Sequence, residues 1–275
     1  MRFVTLVTQT RVRILESGPA SDVNVVMLHG WAAWSYSFHH LLASLPALGV
    51  HCIAADLRGF GLSDKPRTRG AYTTDEYLAD LDSLLDVLTI ERAVLVGHSM
   101  GGGIALAYAL ACPGRVSGLG LLCPTGIVPV PFTRFPPLMP RAIASAAGGR
   151  LVPRWMAGWI LRHLAYGDAS RVRRRDIDEY WAPTQLPGFA LAARMSAAEF
   201  DWRPLGERRV SGLAVPSVVI LGRKDRLIRN AGDAARSIPG AKVLELDAGH
   251  VAHEERPDEA HEAIAGLIER VRRNG

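Results

Sequence analysis

The chain predicts an α/β protein, a mostly parallel sheet with helices on both faces. Short β-branched runs alternate with longer Ala- and Leu-rich runs along most of the sequence. The short runs are apolar throughout, as strands covered on both faces are. The rhythm is interrupted once, after about Pro124, and resumes with a further strand near Val218.

Phe3 to Glu16 alternates apolar and polar residues and predicts two short antiparallel strands at a sheet edge, ended by Ser17-Gly18-Pro19. Val23 to Leu28 is the first buried parallel strand, followed by a helix from about Ser35 to Leu48 with Gly49 just beyond it. His51 to Ala55 is the next strand, leading into the turn-rich Asp56-Leu57-Arg58-Gly59-Phe60-Gly61. That loop is expected to be held together by the Asp56/Arg58 charges. Thr73 and two acidic residues open a helix on which Leu78, Leu81, Leu84, Leu85 and Leu88 recur at helical spacing. Ala93 to Val96 is a strand, Ile104 to Leu110 lies in a helix that ends at Cys112-Pro113-Gly114, and Val116 to Cys123 is the sixth strand. Prolines and helical segments rich in Ala, Arg and Trp fill the interruption to about Asp201. Strand Val218 to Leu221, a helix near Ala231 to Ser237, strand Lys242 to Leu246 and a last helix from Pro257 to about Arg272 complete the chain. The division is a core of 1–124 and 206–275, an eight-stranded sheet, with a helical insertion over 125–205 after the sixth strand, closing over the sheet's carboxyl edge.

The stretch Gly97-His98-Ser99-Met100-Gly101 sits between a strand and a helix. A serine there is presented on a sharp turn at the carboxyl end of a strand, over the start of a helix. A serine hydroxyl is a weak nucleophile at neutral pH and needs a base, which in turn needs an orienting carboxylate. In a parallel sheet the residues just past strand carboxyl ends gather on one rim. Asp225, after strand Val218 to Leu221, is the candidate carboxylate. Its rival Asp247 ends the last strand and lies too near the histidine loop. His250, after Gly249, is the candidate base. His253 falls in a polar run, His253-Glu254-Glu255-Arg256, that reads as solvent-facing, and His261 on the final helix is expected to be exposed. His98 is expected to be structural. The oxyanion formed on attack needs two N–H donors: Met100 at the helix start and Trp31 after His29-Gly30 are the candidates.

The 48% hydrophobic and 21% charged content fits a globular protein, and no apolar run is long enough for a membrane span. The amino terminus lacks a signal-peptide pattern. A net charge of +5, with arginines near Arg171 to Arg175 and at Arg270 to Arg273 but no interleaved aromatics, reads as solvated faces rather than a nucleic-acid surface. Cys52, Cys112 and Cys123 are unclustered, which suits reduced thiols in a cytoplasmic protein and shows no metal spacing.

Taken together, His29-Gly30-Trp31, Asp56-Leu57-Arg58-Gly59-Phe60-Gly61-Leu62-Ser63, Gly97-His98-Ser99-Met100-Gly101-Gly102, Gly222-Arg223-Lys224-Asp225 and Gly249-His250 resemble the α/β-hydrolase superfamily. The likeness is greatest to single-cap serine esterases and the cofactor-free haloperoxidase-like branch. The resemblance implies the α/β-hydrolase fold, no cofactor and a serine hydrolase acting on carboxylic esters. Epoxide hydrolases and haloalkane dehalogenases of the superfamily carry an aspartate at the elbow, where this chain has Ser99. Carbon–carbon bond hydrolases use serine but commonly have Trp after the histidine, where this chain has Val251.

The expected activity is therefore carboxylesterase, with a lactonase or carbon–carbon bond hydrolase on the same Ser99, Asp225 and His250 as the alternative. A ligand-binding protein without turnover is the rival of another class. The expected partner is a small apolar ester, with neither nucleic acid nor membrane span, in a monomer or homodimer. Trp155, Trp159, Tyr166, Trp181 and Phe189 of the insertion suggest an apolar acyl or alcohol site, and Tyr166 and Tyr180 either face substrate or pack.

Overall fold

Alternation along each central strand sends successive side chains to opposite layers. Val25 and Met27 pack with Leu41, Leu45, Ile264 and Leu267 on one face, and Val26 and Leu28 pack with Leu81, Leu84 and Ile104 on the other. Both sets are buried, which explains why these strands read as uninterrupted apolar runs. The computed structural model describes residues 1–130, 152–206 and 210–274.

The strands are β1 (Arg2–Thr5), β2 (Arg11–Ser17), β3 (Asn24–Leu28), β4 (His51–Ala55), β5 (Ala93–His98), β6 (Val116–Leu122), β7 (Ser217–Gly222) and β8 (Ala241–Leu246). They form one eight-stranded sheet in the order β1-β2-β4-β3-β5-β6-β7-β8. The first two pairings, β1 with β2 and β2 with β4, are antiparallel, and all others are parallel. The order reverses around β3, so the loops after β3 and β5 open side by side at the carboxyl rim, where such sheets bind ligands.

The expected helix after β3 is three joined pieces: 3-10 turns at Ser35–Phe38 and Leu45–Leu48 flank α1 (His39–Ser44). Pro46, lacking an N–H, sits in the last piece. Helix α2 (Thr74–Val87) starts where the sequence places it, with the Thr73 hydroxyl accepting from the Glu76 N–H. Helix α3 (Met100–Ala111) follows β5 directly. Between β6 and β7 lie α4 (Arg154–Ile160), continued by a π-turn at Leu161–Ala165, then α5 (Arg174–Trp181) and α6 (Phe189–Glu199). No described residue between β6 and β7 is in a strand. Pro131, Pro136, Pro137 and Pro140 lie outside the described residues. The chain ends with α7 (Gly232–Arg236), α8 (Ala252–Glu255) and α9 (Pro257–Asn274).

The Asp56/Arg58 loop is held by its charges, but not by a bond between them. Asp56 pairs with Arg13 at 3.3 Å and accepts the Ser35 and Leu62 N–H groups, while Arg58 binds Asp80 and Glu76, each at 2.6 Å. Each charge found a buried partner on another element, which a local reading cannot see. Among the described residues, no helix is long and apolar enough to cross a membrane.

Candidate active site

Ser99 lies between β5 and α3 with φ 52° and ψ −116°, a conformation that favours glycine and is costly for any other residue. The cost is offset by over-determination. The Ser99 N–H donates to the Leu122 carbonyl at 3.0 Å, and the Ser99 carbonyl accepts from the Gly103 and Thr125 N–H groups, both at 3.0 Å. The neighbouring glycines are required by close approach: a Cβ on Gly97 would stand 2.3 Å from the Gly101 oxygen, and one on Gly101 would stand 2.0 Å from the Leu28 oxygen. Strand and helix therefore meet at a distance that no larger residue permits.

Asp225 and His250 are brought together from the ends of β7 and β8. The His250 Nδ1–H donates to Asp225 Oδ2 at 2.8 Å, so in the neutral ring Nε2 carries the lone pair. Asp225 Oδ1 accepts the Leu227 and Ile228 N–H groups at 2.7 and 2.9 Å. Burial pushes the Asp225 carboxyl up, but the His250 charge and hydrogen bond together with the two amides outweigh it and hold the group below the usual carboxylate range. Asp247 is engaged elsewhere: its half-exposed carboxylate pairs with Lys224 at 2.8 Å and with Arg256 at 3.5 Å.

Ser99 and His250 line the same cavity of about 250 Å³. Among the described residues, no hydrogen bond joins the Ser99 hydroxyl to the His250 ring, a contact that tightens in many enzymes only when substrate is bound. Gly30 lies against the elbow, a Cβ there falling 3.1 Å from Ser99 Cβ. Trp31, next to Gly30, lines the same cavity as Ser99, and Met100 is the first residue of α3. His29 shapes that turn: its Nε2 accepts the Leu57 N–H at 2.9 Å and its Nδ1–H donates to the Gly30 carbonyl at 2.7 Å. Burial drives the His29 ring down to about 4, so it stays neutral.

His98 lines the cavity beside Ser99 and His250. Its Nε2–H donates to the His250 carbonyl at 3.0 Å, tying the elbow to the histidine loop, and burial, with the neighbouring His253 and His250 rings opposing a further proton, holds the ring well below its usual range. His253, expected in solvent, is buried on α8, with Nε2 2.8 Å from the Ser37 hydroxyl and its ring driven down to about 3 chiefly by burial. The whole run His253-Glu254-Glu255 is buried, because Tyr166, Tyr180 and the amides of Gly167 and Asp168 pack onto it from the segment between β6 and β7. His261 is likewise only partly exposed, 2.8 Å from the Ser44 hydroxyl.

Of the aromatics suggested for the cavity, Phe189 lines it and Trp155 and Trp159 do not; these are 71% and 50% exposed. Tyr166 is buried against Glu254, and the Trp181 indole N–H donates to the Val152 carbonyl at 2.8 Å. The lining missed by sequence reading is the adjacent stripe Met156, Ile160 and Leu164, at helical spacing, together with Trp202. Tyr180 reaches the cavity, as one of the two roles left open for it requires. Among the described residues, no Lys, Arg, Asp or Glu lines the cavity.

Cys123, Asp225 and His250 offer three donor atoms within 4.8 Å of one another. They fit a metal poorly: Asp225 is committed to the imidazole and two amides, and burial pushes the Cys123 thiol well above its usual range.

Glu254 supplies a pH prediction. Tyr180 and Tyr166 hydroxyls donate to its two oxygens, and burial drives its carboxyl up to about 8 despite them. The folded state thus holds a proton that an unfolded glutamate releases near 4.3. The stabilisation this group contributes is therefore full below that value and is lost as pH rises through about 8. Glu254→Gln, which cannot ionise, should match the wild type at pH 5 and melt above it at pH 9. Thermal unfolding at the two pH values checks this, and an unchanged gap between them contradicts it.

A family defined by the alpha/beta hydrolase fold matches residues 23–257. An uncharacterised protein of Mycobacterium tuberculosis is 31% identical over 269 residues, covering 89% of this chain and 74% of its own. Epoxide hydrolase A of the same organism is 27% identical, with 94% of each chain covered. The structure of a thermophilic esterase from Thermogutta terrifontis superposes with a TM-score of 0.80 at 24% identity, covering 98% of both chains.

Proposed function

The chain belongs to the α/β-hydrolase family, and from that premise we propose that it is a serine hydrolase cleaving neutral, apolar carboxylic esters through an acyl-enzyme. The observation that carries this reading is the His250–Asp225 hydrogen bond at the wall of an apolar cavity that also receives Ser99. His250 Nε2 takes the proton as the Ser99 oxygen attacks the ester carbonyl, and Asp225 stabilises the imidazolium. The Met100 and Trp31 backbone N–H groups receive the oxyanion. The same imidazolium then gives its proton to the departing alcohol, and water activated by His250 releases the acid. No step needs a cofactor.

Residues 125–205 act in this scheme as a helical cap, whose described part roofs the cavity with Met156, Ile160, Phe189 and Trp202. The three free thiols suit a reducing cytoplasm. A serine at the elbow does not offer the carboxylate nucleophile expected of an epoxide hydrolase. A lactone, being a cyclic ester, could follow the same steps. The lining argues against substrates that carry a carboxylate, since an unpaired charge in an apolar cavity is strongly disfavoured.

The test is a p-nitrophenyl ester series. Esters of neutral acyl chains should exceed an ester of matched length ending in a carboxylate by at least about a hundredfold in kcat/KM, on the order of 3 kcal/mol. Equal rates on the two, or no turnover of any ester, would remove this reading.

A further inference from the structure

Glu255 is five residues past His250, on α8, and its carboxyl group is buried away from the cavity. Its two oxygens accept three backbone N–H groups. Oε2 takes Gly249 at 2.8 Å and Gly167 at 2.9 Å, and Oε1 takes Asp168 at 2.9 Å. Gly249 precedes His250, whereas Gly167 and Asp168 belong to the segment between β6 and β7. The backbones also touch directly. The His250 N–H donates to the Ala165 carbonyl at 2.6 Å, a Cβ on Gly167 would stand 2.7 Å from the Gly249 nitrogen, and a Cβ on Gly249 would stand 2.4 Å from the Gly167 nitrogen.

The histidine loop thus has its N–H groups held by the roof of the cavity and by Glu255, and its carbonyl held by His98. We propose that Glu255 is a positioning residue that locks the roofing segment 165–168 onto the His250 loop, so that the imidazole is aligned with Ser99 only while the roof is seated. This rests on the reading of Ser99 and His250 as nucleophile and base. The Glu255 carboxyl does not line the cavity, so the expectation is specific: loosening the clamp acts through the imidazole and lowers kcat more than it changes KM. A displacement of about 1 Å at a reacting group costs on the order of a hundredfold in rate.

Two variants attack the clamp from opposite sides. Glu255→Gln replaces one acceptor oxygen with an NH2 group that faces a backbone N–H. Gly167→Ala wedges a methyl against Gly249 and leaves Glu255 intact. Each should lower kcat about ten- to a hundredfold with KM near the wild-type value, and should slow labelling of Ser99 by a fluorophosphonate in proportion. A core control, Ile264→Val, should lose comparable thermal stability with kcat unchanged. In the wild type, hydrogen exchange at the Gly167, Asp168 and Gly249 amides should slow together once Ser99 is labelled, a measurement that stands even if a variant fails to fold.

Labelled wild type with variants that fold, melt lower and keep kcat and the labelling rate would reduce Glu255 to a structural residue and overturn the proposal. Independent exchange at the three amides would do the same. Wild type that the fluorophosphonate does not label overturns the underlying reading and this proposal together.

Discussion

Ser99→Ala should abolish ester hydrolysis, lowering kcat on a neutral p-nitrophenyl ester by roughly a million-fold. The fold should survive, since alanine bears the same left-handed backbone cost at φ 52° and the hydroxyl makes no cap to α3. Some catalysis over water should remain, because His250, Asp225 and the proposed oxyanion donors stay in place. The variant should also resist a fluorophosphonate that labels the wild type stoichiometrically. Labelling separates an enzyme from a protein that uses the same cavity only to bind a ligand: a binder would keep its cavity and show neither labelling nor turnover. Turnover by Ser99→Ala within about tenfold of the wild type would place the chemistry on another residue, against every step of the proposed scheme.

The sheet was legible because its signals are local. Val25 to Leu28 and Val94 to Val96 are apolar on both faces, and only a strand covered on both sides tolerates that. Thr73 with Glu76, and Gly97 with Gly101, encode a helix start and a tight elbow within a few residues. The pairing of Asp225 with His250 was legible for a different reason: parallel topology forces the ends of β7 and β8 onto one rim. Nothing comparable constrains the segment between β6 and β7. Trp155 and Trp159 repeat at the same helical interval as Met156 and Ile160, and hydrophobicity favours the tryptophans. The cavity took the smaller pair, and only tertiary packing decides between two such stripes. The run His253-Glu254-Glu255 misled in the opposite direction. Its charge pattern reads as surface, yet each residue is buried under partners that come from 74 to 216 residues earlier. Buried polar groups that are satisfied at long range leave no mark in the sequence nearby.

Asp225→Asn should cost about 10⁴-fold in kcat while leaving KM and the melting temperature close to wild type. The asparagine carbonyl can keep the Leu227 and Ile228 amides, which bind Oδ1 now, and that anchors the side chain in its present orientation. Its NH2 group then falls where Oδ2 accepts the His250 Nδ1–H, so donor faces donor. The ring escapes by moving its proton to Nε2, the nitrogen that must accept the Ser99 proton, and the base is lost without moving an atom of the backbone. Cys123 stands beside the pair but cannot substitute, because burial keeps its thiol protonated and uncharged. Fluorophosphonate labelling should slow in parallel with kcat, since both need an activated Ser99. A variant that labels and turns over at the wild-type rate would mean that the imidazole needs no carboxylate at this position. Asp247 could not take over, being held at the surface by Lys224 and Arg256, and the proposed assignment of base and carboxylate would then fail as a pair.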